Sequence, residues 1–505
     1  MRASAPFLLI ALSAACATER GPLTNQMAQS STRYLSRAAR QPVGWQPWGR
    51  EAFALAARLD RPVLLYVGSD DCRWCVVMDR ETYADRDIAA LIDSLFVPVR
   101  VDRDERPDVA RRYQDQVRAI AGLRGLPLTV VLTPDGEAFF GGTYFAPDDP
   151  VTGRGLKQIL PEVARSYHAD RGRVVQRAAL VRQLALGRSR NTHGVLRAET
   201  VNAQIAAVRA AFRASDSTGG FVATQTIALL LGEYGTAGDT AALRVARRAL
   251  DALLDSGAVG AATALDDPPI VVRAGLARDL SLAWVLTADL RYREAGRAET
   301  RALARALLEP QDRTVFADRE AFAIGALLES AAAVGDTGSQ TRARQALDGL
   351  LRQVYARGYG VRHALVGSVD GLLEDQVQVA SASLSAYEAT GERRYLDVAN
   401  DLAGVLQRDY ADPEGGYFDV SASAAPVPAL AERTKTVFDD LLPAGNAAVA
   451  RFFLRLAAVT GDAQYRRRAE ATLESLADAV PAGDARTASY LAVARLVLAQ
   501  RTLFR

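Results

Sequence analysis

The segment PVLLYVGSDDCRWC, residues 62–75, decides the fold of the N-terminal part of this chain. Its first six residues form a short, continuous apolar run of the kind that a buried strand shows. A turn of small and acidic residues follows, and Cys72 and Cys75 then stand where a helix should begin. A strand that leads into a Cys-x-x-Cys pair at a helix start is typical of a redox motif.

Further strand signals lie at residues 96–101 and 128–132, and a turn at 133–136 leads into an apolar segment that completes a hairpin. The order of strand, cysteine pair, helix, strand, helix, proline and hairpin is that of the thioredoxin fold. A cis proline faces the disulfide in that fold, and Pro127, directly before the third strand, is the candidate. We therefore predict an α/β thioredoxin-like domain over residues 41–168.

The position of the pair predicts how its chemistry is divided. The unpaired N–H groups and the dipole of a helix start stabilise a thiolate, so Cys72 is the expected nucleophile. Cys75, one turn further in, would resolve the mixed disulfide. Arg73 would favour the thiolate, whereas the acidic residues 70–71 would oppose it, so the sequence leaves the reduction potential open.

Other interpretations of the pair remain open. The two cysteines could form a structural disulfide or an inert thiol pair, or belong to a zinc knuckle, although the chain offers no second ligand pair for zinc. Trp74 could present an aromatic surface to a partner or pack beneath the loop, and Pro127 would shape the substrate groove. We expect no metal and no cofactor.

The third cysteine, Cys16, lies in a leader. Arg2 provides a short positive region, residues 7–14 are apolar and residues 14–16 are small, which is typical of a secretion signal. Residues 13–16 resemble a bacterial lipobox, which would lipidate Cys16, but ordinary signal cleavage also fits. We predict a signal peptide over 1–16, a tether over 17–40, and an exported protein of the periplasm or cell envelope that meets the membrane only through the possible lipid anchor.

Composition limits the function classes. The 505 residues are 49% hydrophobic, which fits a globular chain of more than one domain. A formal net charge of +2 is too small to indicate a nucleic-acid partner. Of the 61 basic residues only Lys157 and Lys435 are lysine, and we interpret this as a bias towards arginine rather than as a basic patch.

A helical repeat follows the N-terminal domain. An acidic residue in a turn recurs at Asp239, Asp289, Asp336, Glu392 and Asp462, and a small residue lies seven positions after each of them. The acid is expected to cap a helix and the small residue to lie at a close helix contact. With an initial unit near residues 199–234, these marks predict six helical hairpins. We predict a linker helix over 169–198 and an all-α (α/α)6 toroid over 199–505.

Five blocks of sequence, in order, resemble the spermatogenesis-associated protein 20 family, which contains the domain of unknown function 255. The blocks are WQPWGREAF (45–53), CRWCVVM (72–78), VDRDERPD (101–108), LPLTVVLTPDG (126–136) and GGTYF (141–145). The resemblance implies a thioredoxin-like domain followed by a toroid similar to that of N-acylglucosamine 2-epimerases and six-hairpin glycosidases. The chain departs from the family at Arg73 and Val76, where histidine is usual. Thioredoxins place a buried aspartate where this chain has Tyr66.

The toroid could carry a carbohydrate site. Epimerases of this fold use paired histidines, but His363 is the only histidine within the repeats. Carboxylates could instead form an acid and base pair across helices. The candidates are Glu374 and Asp375, within a stretch that resembles a family motif, together with Asp439 and Asp440.

Three functions therefore remain. The first is an exported thiol–disulfide oxidoreductase that acts on a protein thiol or disulfide, with the toroid as a binding platform. The second is a toroid that binds or acts on a glycan or another small molecule, with an accessory thioredoxin-like domain. The third is a non-catalytic interaction protein.

Overall fold

The computed structural model describes most of the chain. The described residues are 23–148, 151, 153–186, 194–212, 221–255, 269–308, 314–364, 369–424 and 432–503. The predicted signal peptide, with Cys16, lies outside them. No helix in these ranges is both long and apolar enough to span a bilayer.

A mixed five-stranded sheet organises the N-terminal domain. The strands lie in the order β1-β3-β2-β4-β5, and β1, β3 and β2 are parallel while β4 and β5 are antiparallel to their neighbours. Their bounds are Gln46–Pro47 (β1), Val63–Gly68 (β2), Val97–Asp102 (β3), Leu128–Leu132 (β4) and Ala138–Gly142 (β5). The bounds of the three predicted strands agree with β2, β3 and β4 to within one residue.

Seven helices surround this sheet. They are α1 (Arg33–Arg37), α2 (Arg50–Leu59), α3 (Arg73–Glu81), α4 (Arg86–Leu95), α5 (Pro107–Ala121), α6 (Leu156–Ala169) and α7 (Arg171–Leu186). Successive side chains of a strand point to opposite faces, so β2 contributes to two separate cores. Leu64 and Tyr66 pack with α3, α4 and α6, whereas Val63 and Leu65 pack with α2 and α5.

Two boundaries differ from the predicted ones. The tether prediction is wrong for residues 23–40, because Met27, Tyr34 and Leu35 are buried in the core on the α4 side of the sheet. Polar composition concealed these widely spaced anchors. At the other end, α7 packs against α5 and β5 through buried Val174 and Ala178, so it extends the domain beyond residue 168.

The C-terminal domain consists of paired helices. Six of them form an inner ring, namely α9 (Phe221–Ala237), α11 (Ile270–Thr287), α13 (Ala317–Val334), α15 (Leu373–Thr390), α17 (Gly445–Thr460) and α19 (Ala488–Leu503). Six form an outer layer, namely α8 (Ala198–Ala211), α10 (Thr240–Asp255), α12 (Leu290–Leu308), α14 (Thr337–Val354), α16 (Arg393–Val405) and α18 (Ala463–Glu474).

The inner helices close a ring. Each contacts the next in chain order, and α19 contacts α9, which returns the ring to its start. The outer helices α10, α12, α14, α16 and α18 each pack on the inner helix that precedes them, and α8 packs on α19. The predicted α/β thioredoxin-like domain followed by an all-α (α/α)6 toroid is therefore confirmed.

The repeated acids act mainly as helix caps. Asp239, Asp289, Asp336 and Asp462 each accept a backbone N–H bond from the first turn of an outer helix. Glu392 begins α16 without a side-chain cap, because its carboxylate binds Arg344 and Arg394 instead. The small residues that follow lie on the outer helices, and Ala246, Ala343, Ala399 and Ala469 are fully buried there.

A short β-hairpin lies in the toroid next to the junction of the two domains. Strands β6 (Tyr355–Ala356) and β7 (Gly360–Val361) lie between α14 and α15. The segment after β7 pairs with Phe316, directly before α13. This pairing holds His363 at the amino-terminal end of the inner ring, which is the end that meets the N-terminal domain.

Candidate functional site

The cysteine pair occupies the start of α3. Strand β2 ends at Gly68, and Cys72 is the N-cap residue of the helix. The Cys72 sulfur accepts a hydrogen bond of 3.0 Å from the backbone N–H of Cys75, and the two sulfurs form a disulfide. Cys75 is fully buried whereas Cys72 is partly exposed. An incoming thiolate would therefore reach Cys72 first.

The exposed side of the pair presents an aromatic and a cationic side chain. Trp74 is 56% exposed and its ring lies 5.1 Å from that of Tyr144, and Arg73 is exposed beside it. Of the two alternatives for Trp74, a surface position and packing beneath the loop, the structure shows the surface position. The Leu126–Pro127 peptide bond is cis, as predicted. Because Val67 pairs with Leu128, Pro127 lies next to the end of β2 that leads into the disulfide.

Each of the two acidic residues before the pair forms an ion pair with an arginine. Asp70 forms an ion pair with Arg37, and Asp71 binds Arg103 at 2.7 Å. The sequence indicated only that these carboxylates would oppose a thiolate. Their pairing with arginine from distant segments reduces that opposition.

An arginine–aspartate ion pair with two tyrosines around it lies on the sheet face beneath Cys75. Arg100 is almost completely buried, and its guanidinium group makes two hydrogen bonds, of 2.7 and 2.8 Å, to Asp79. The same group lies over the rings of Tyr34 and Tyr66, 4.4 and 5.0 Å from their centres. Burial raises the pKa of Tyr66 well above its usual range, so this phenol stays neutral. Tyr66 stands at the position where thioredoxins carry an aspartate, and here it lies beside the ion pair of Arg100 and Asp79.

A chain of ion pairs leads from the disulfide loop, residues 69–75, to the toroid. Asp71 binds Arg103, and the Arg103 Nε lies 2.6 Å from an Asp104 carboxylate oxygen. The same carboxylate oxygen of Asp104 lies 2.8 Å from the guanidinium group of Arg319, in α13. These arginines hold the pKa of Asp104 far below its usual range despite its burial. The disulfide loop is therefore connected to the inner ring through fixed charges.

His363 is the second link between the domains. Its Nε2 lies 2.8 Å from the backbone carbonyl of Asp104 and its Nδ1 lies 2.9 Å from a carboxylate oxygen of Asp375. Both partners are acceptors, so both ring nitrogens donate and the imidazole is cationic. Burial alone would lower the pKa of His363, but the carboxylate of Asp375 outweighs it and raises the pKa to about 10.

The same histidine belongs to a group of side chains with the composition of a metal site. Ligand atoms of Asp318, His363 and Asp375 lie within 4.8 Å of one another. A metal needs an imidazole nitrogen with a free lone pair, and here both nitrogens carry a proton towards an acceptor. The contacts of His363 therefore fit an ion pair that joins two domains better than a metal centre.

Two further predicted cavity residues, Glu374 and Asp439, are also engaged. Glu374 lies 2.6 Å from the guanidinium group of Arg111, in α5 of the N-terminal domain. Asp439 is buried and accepts backbone N–H bonds from Ala444 and Ser489, both of 2.9 Å, and burial raises its pKa to about 7. It therefore caps the starts of two inner helices.

These residues divide between two places. His363, Glu374 and Asp375 come together at the domain interface, where the N-terminal domain covers them. Asp439 and Asp440 instead line a cavity of about 250 Å³ between α5 and the toroid. The structure does not bring the candidate carboxylates into one open cavity.

The interface residues Asp104, Arg111 and Arg319 were missed at the sequence level. Asp104 lies within the family-like block at 101–108, which was a signal that this loop is more than a surface turn. Arg111 and Arg319 stand in ordinary amphipathic helices. Their partners lie more than 200 residues away, and no local pattern indicates such a pairing.

Known proteins show sequence similarity to the N-terminal part of the chain. Residues 24–185 match the model of the family Thioredox_DsbH, described as "Protein of unknown function, DUF255". Human Spermatogenesis-associated protein 20 is 36% identical over 165 residues, which are 33% of this chain and 21% of the human protein. "Uncharacterized protein B0495.5" of Caenorhabditis elegans is 36% identical over 184 residues, 36% of this chain and 24% of that protein. The chain thus matches about a fifth to a quarter of the length of these relatives.

Solved structures show partial similarity to this chain. An unsaturated glucuronyl hydrolase specific for heparin matches 60% of this chain and 97% of its own, with 13% identity and a TM-score of 0.47. Cellobiose 2-epimerase from Bacillus thermoamylovorans B4167 matches 56% of this chain and 88% of its own, with 12% identity and a TM-score of 0.45.

Proposed function

We propose from the geometry of the cysteine site that this protein is a thiol–disulfide oxidoreductase. The DUF255 model that residues 24–185 match is described without a function. The observation that carries the proposal is the asymmetry of the pair, in which Cys72 is partly exposed at a helix start and Cys75 is fully buried behind it. A structural disulfide needs no such division of exposure. The exposed Trp74 and Arg73 beside the pair offer a contact surface for a polypeptide.

The reaction starts from the disulfide. A thiolate of the substrate attacks the Cys72 sulfur, a mixed disulfide forms, and the Cys72–Cys75 bond breaks to leave the Cys75 thiolate. The second thiolate of the substrate then attacks the substrate sulfur that is bonded to Cys72. A substrate disulfide forms, and Cys72 leaves as a thiolate. Two electrons pass from the substrate dithiol to the pair, and the two thiol protons end on Cys72 and Cys75. With a reduced pair the same steps run in reverse on a substrate disulfide.

The residues around the pair have supporting roles in this proposal. The first-turn N–H groups and the cationic Arg73 favour the Cys72 thiolate. Pro127 shapes the groove in which the substrate backbone lies. The toroid serves as a rigid platform that the ion pairs of Asp104 hold in place. We further propose export to the periplasm or cell envelope, with a lipid anchor at Cys16. Fractionation of cells that express wild-type protein or Cys16→Ser tests the anchor, because only the wild type should remain with the membranes.

The test of the redox function uses matched cysteine variants. In a chain that also carries Cys16→Ser, we expect dithiothreitol-dependent insulin reduction, or oxidation of a reduced dithiol peptide, to be lost in Cys72→Ser. Cys75→Ser should accumulate mixed disulfides with its substrate, because the resolving thiol is gone, whereas Cys72→Ser should trap none. A chain with intact Cys72 and Cys75 that is inactive in both directions, and a Cys75→Ser variant that traps nothing, would favour a non-catalytic interaction protein instead.

A carbohydrate reaction at the predicted carboxylates has less support. Glu374 is bound to Arg111 and Asp375 to His363, and the N-terminal domain covers both. A general acid and base need access to the glycosidic bond from both sides. Glu374→Gln is therefore expected to change stability rather than any hydrolytic activity.

A further inference from the structure

The inner ring of the toroid encloses a cavity, the lumen, that the disulfide chemistry does not use. It has a volume of about 310 Å³, within the range of small-molecule sites, and all six inner helices line it. The lining includes Thr236 and Val285, which are exposed near the carboxyl ends of their helices, and Leu496, which is exposed near the middle of α19. The N-terminal domain covers the opposite end, so the lumen opens away from the disulfide.

Small side chains create this space. Several inner helices turn alanine, glycine or serine towards the axis of the ring, and these residues include Ala228, Gly232, Gly325, Ala382, Ala447 and Ala448. Large apolar residues at the same positions would fill the lumen as an ordinary helical core is filled. The charged residues therefore stand out against a lining of small side chains.

Two ion-pair groups account for most of the charge. Arg495 binds both carboxylate oxygens of Glu233, at 2.7 and 2.8 Å. Glu329 lies between Arg278, at 2.8 Å, and Arg455, at 3.6 Å. Burial opposes ionisation of Glu329, but the surrounding arginines outweigh it and hold its pKa at about 2. Glu329 is thus a permanent anion.

One arginine is left without a counter-ion. Arg455 also pairs with Glu388, so these ion pairs use three carboxylates, whereas four arginines line the lumen. Arg451 is the fourth arginine. Within the described part of the chain it forms no hydrogen bond or ion pair through its guanidinium group, yet it is exposed on an inner helix, where it lines the lumen. The protein atoms around the lumen desolvate the guanidinium group and lower the pKa of Arg451 to about 10. Neighbouring arginines lower this pKa further, and the charge of Glu329 opposes both effects.

A second unpaired donor lies in the same lining. The side-chain nitrogen of Gln378 is buried and has no hydrogen-bond partner among the described residues. A buried donor without a partner is costly, so such groups are uncommon unless a ligand or solvent completes them. Arg451 and Gln378 together offer a cation and an amide donor to the same space.

We propose that the lumen binds a small organic anion, whose carboxylate or phosphate group pairs with the planar guanidinium group of Arg451 while its polar body contacts Gln378. Arginine suits this role because its planar group of donors matches both kinds of oxyanion. The anion enters from the open end of the ring. This site is separate from the disulfide, so either proposal can fail without the other.

Calorimetric titration of the full chain at low ionic strength tests the site. The probes are glucuronate for a carboxylate, glucose 6-phosphate for a phosphate, and uncharged glucose. We expect at least one anion to bind, with an affinity at least tenfold higher than that of glucose, and the stronger anion identifies the preferred group. Arg451→Gln should weaken that binding at least tenfold, and Arg451→Lys should restore part of it.

The matched control is Arg393→Gln, since Arg393 lies on an outer helix with its side chain 76% exposed and should leave binding unchanged. The melting temperature of the unliganded Arg451→Gln protein should stay the same or rise, because the variant removes a charge that no carboxylate pairs with. The proposal is overturned if neither anion binds the wild type, if glucose binds equally well, or if Arg451→Gln binds as tightly as the wild type.

Discussion

His363 Nε2 donates a hydrogen bond of 2.8 Å to the backbone carbonyl of Asp104, although 259 residues separate the two in the sequence. The bond joins the inner ring of the toroid to the loop after β3 of the thioredoxin-like domain. Because the other nitrogen of His363 is bound to Asp375, a single buried imidazolium group carries contacts to both domains. The first two predictions follow from this arrangement.

Replacement of His363 by glutamine should destabilise the protein by about 3–5 kcal/mol, because it leaves the buried Asp375 carboxylate without its partner. Urea unfolding of the wild type and His363→Gln measures the difference. His168→Gln is the control, since the His168 side chain is about half exposed, on α6. A loss for His363→Gln no greater than that for His168→Gln would contradict the role of the imidazolium group.

The free energy of unfolding should depend on pH through the titration of His363. Its pKa is raised to about 10 in the folded protein, from about 6.5 in an unfolded chain. The stabilisation is therefore complete below pH 6.5 and is lost as the pH rises towards 10. We expect the free energy of unfolding of the wild type to fall by a few kcal/mol more than that of His363→Gln over this interval. Parallel curves for the two proteins would show that the imidazole is not charged in the folded state.

Asp104 and Arg319 should be energetically coupled. Their side chains are 2.8 Å apart, and each is only 14% exposed. A double-mutant cycle of Asp104→Asn and Arg319→Gln is expected to give a coupling energy of about 1–3 kcal/mol in urea unfolding. Asp104→Asn keeps the backbone carbonyl that His363 binds, so the cycle reports the side chain alone. Strictly additive effects would contradict the ion pair, and Asp87→Asn, at an exposed position of α4, serves as the neutral control.

Gly68 should not tolerate a larger residue. A Cβ atom there would lie 2.0 Å from the Tyr34 hydroxyl and 3.1 Å from the Cys75 sulfur. Gly68→Ala is therefore expected to destabilise the fold by about 1–3 kcal/mol and to disturb the disulfide. Gly404→Ala is the control, since a Cβ there meets nothing within 4 Å, and its effect should be neutral or slightly stabilising. Thermal unfolding and the rate of disulfide reduction measure the two effects.

Local sequence patterns predicted the elements of the fold well because their causes are local. Strand β2 is a continuous apolar run that packs on both faces of the sheet, and such a run is visible in a few residues. Asp336 and Asp462 cap helices through bonds to residues two or three positions away. The periodic recurrence of acidic residues in turns, together with the initial unit near residues 199–234, predicted the number of hairpins.

Local patterns could not predict what the charged residues face. Asp104 reads as part of a solvated turn, because its own neighbours are charged, and only the folded chain brings it to Arg319. Arg451 reads as one polar residue in an alanine-rich helix. Its lack of a counter-ion depends on how the helices come together, since Glu329 lies on α13 and pairs with Arg278 and with Arg455, one turn after Arg451 on α17. The sequence likewise indicated Glu374 and Asp375 as cavity residues but not that another domain covers them.

The pairing of α8 with α19 has a consequence for synthesis of the protein on the ribosome. The outer helix α8 is synthesised almost three hundred residues before α19, the inner helix on which it packs. The inner helix α9 also contacts α19 and therefore lacks this neighbour until α19 has been synthesised. Until α19 emerges, the growing toroid is an open arc with apolar flanks on α8, α9 and α17. We expect this nascent arc to be the form that molecular chaperones recognise, and the thioredoxin-like domain, made first, to fold ahead of it.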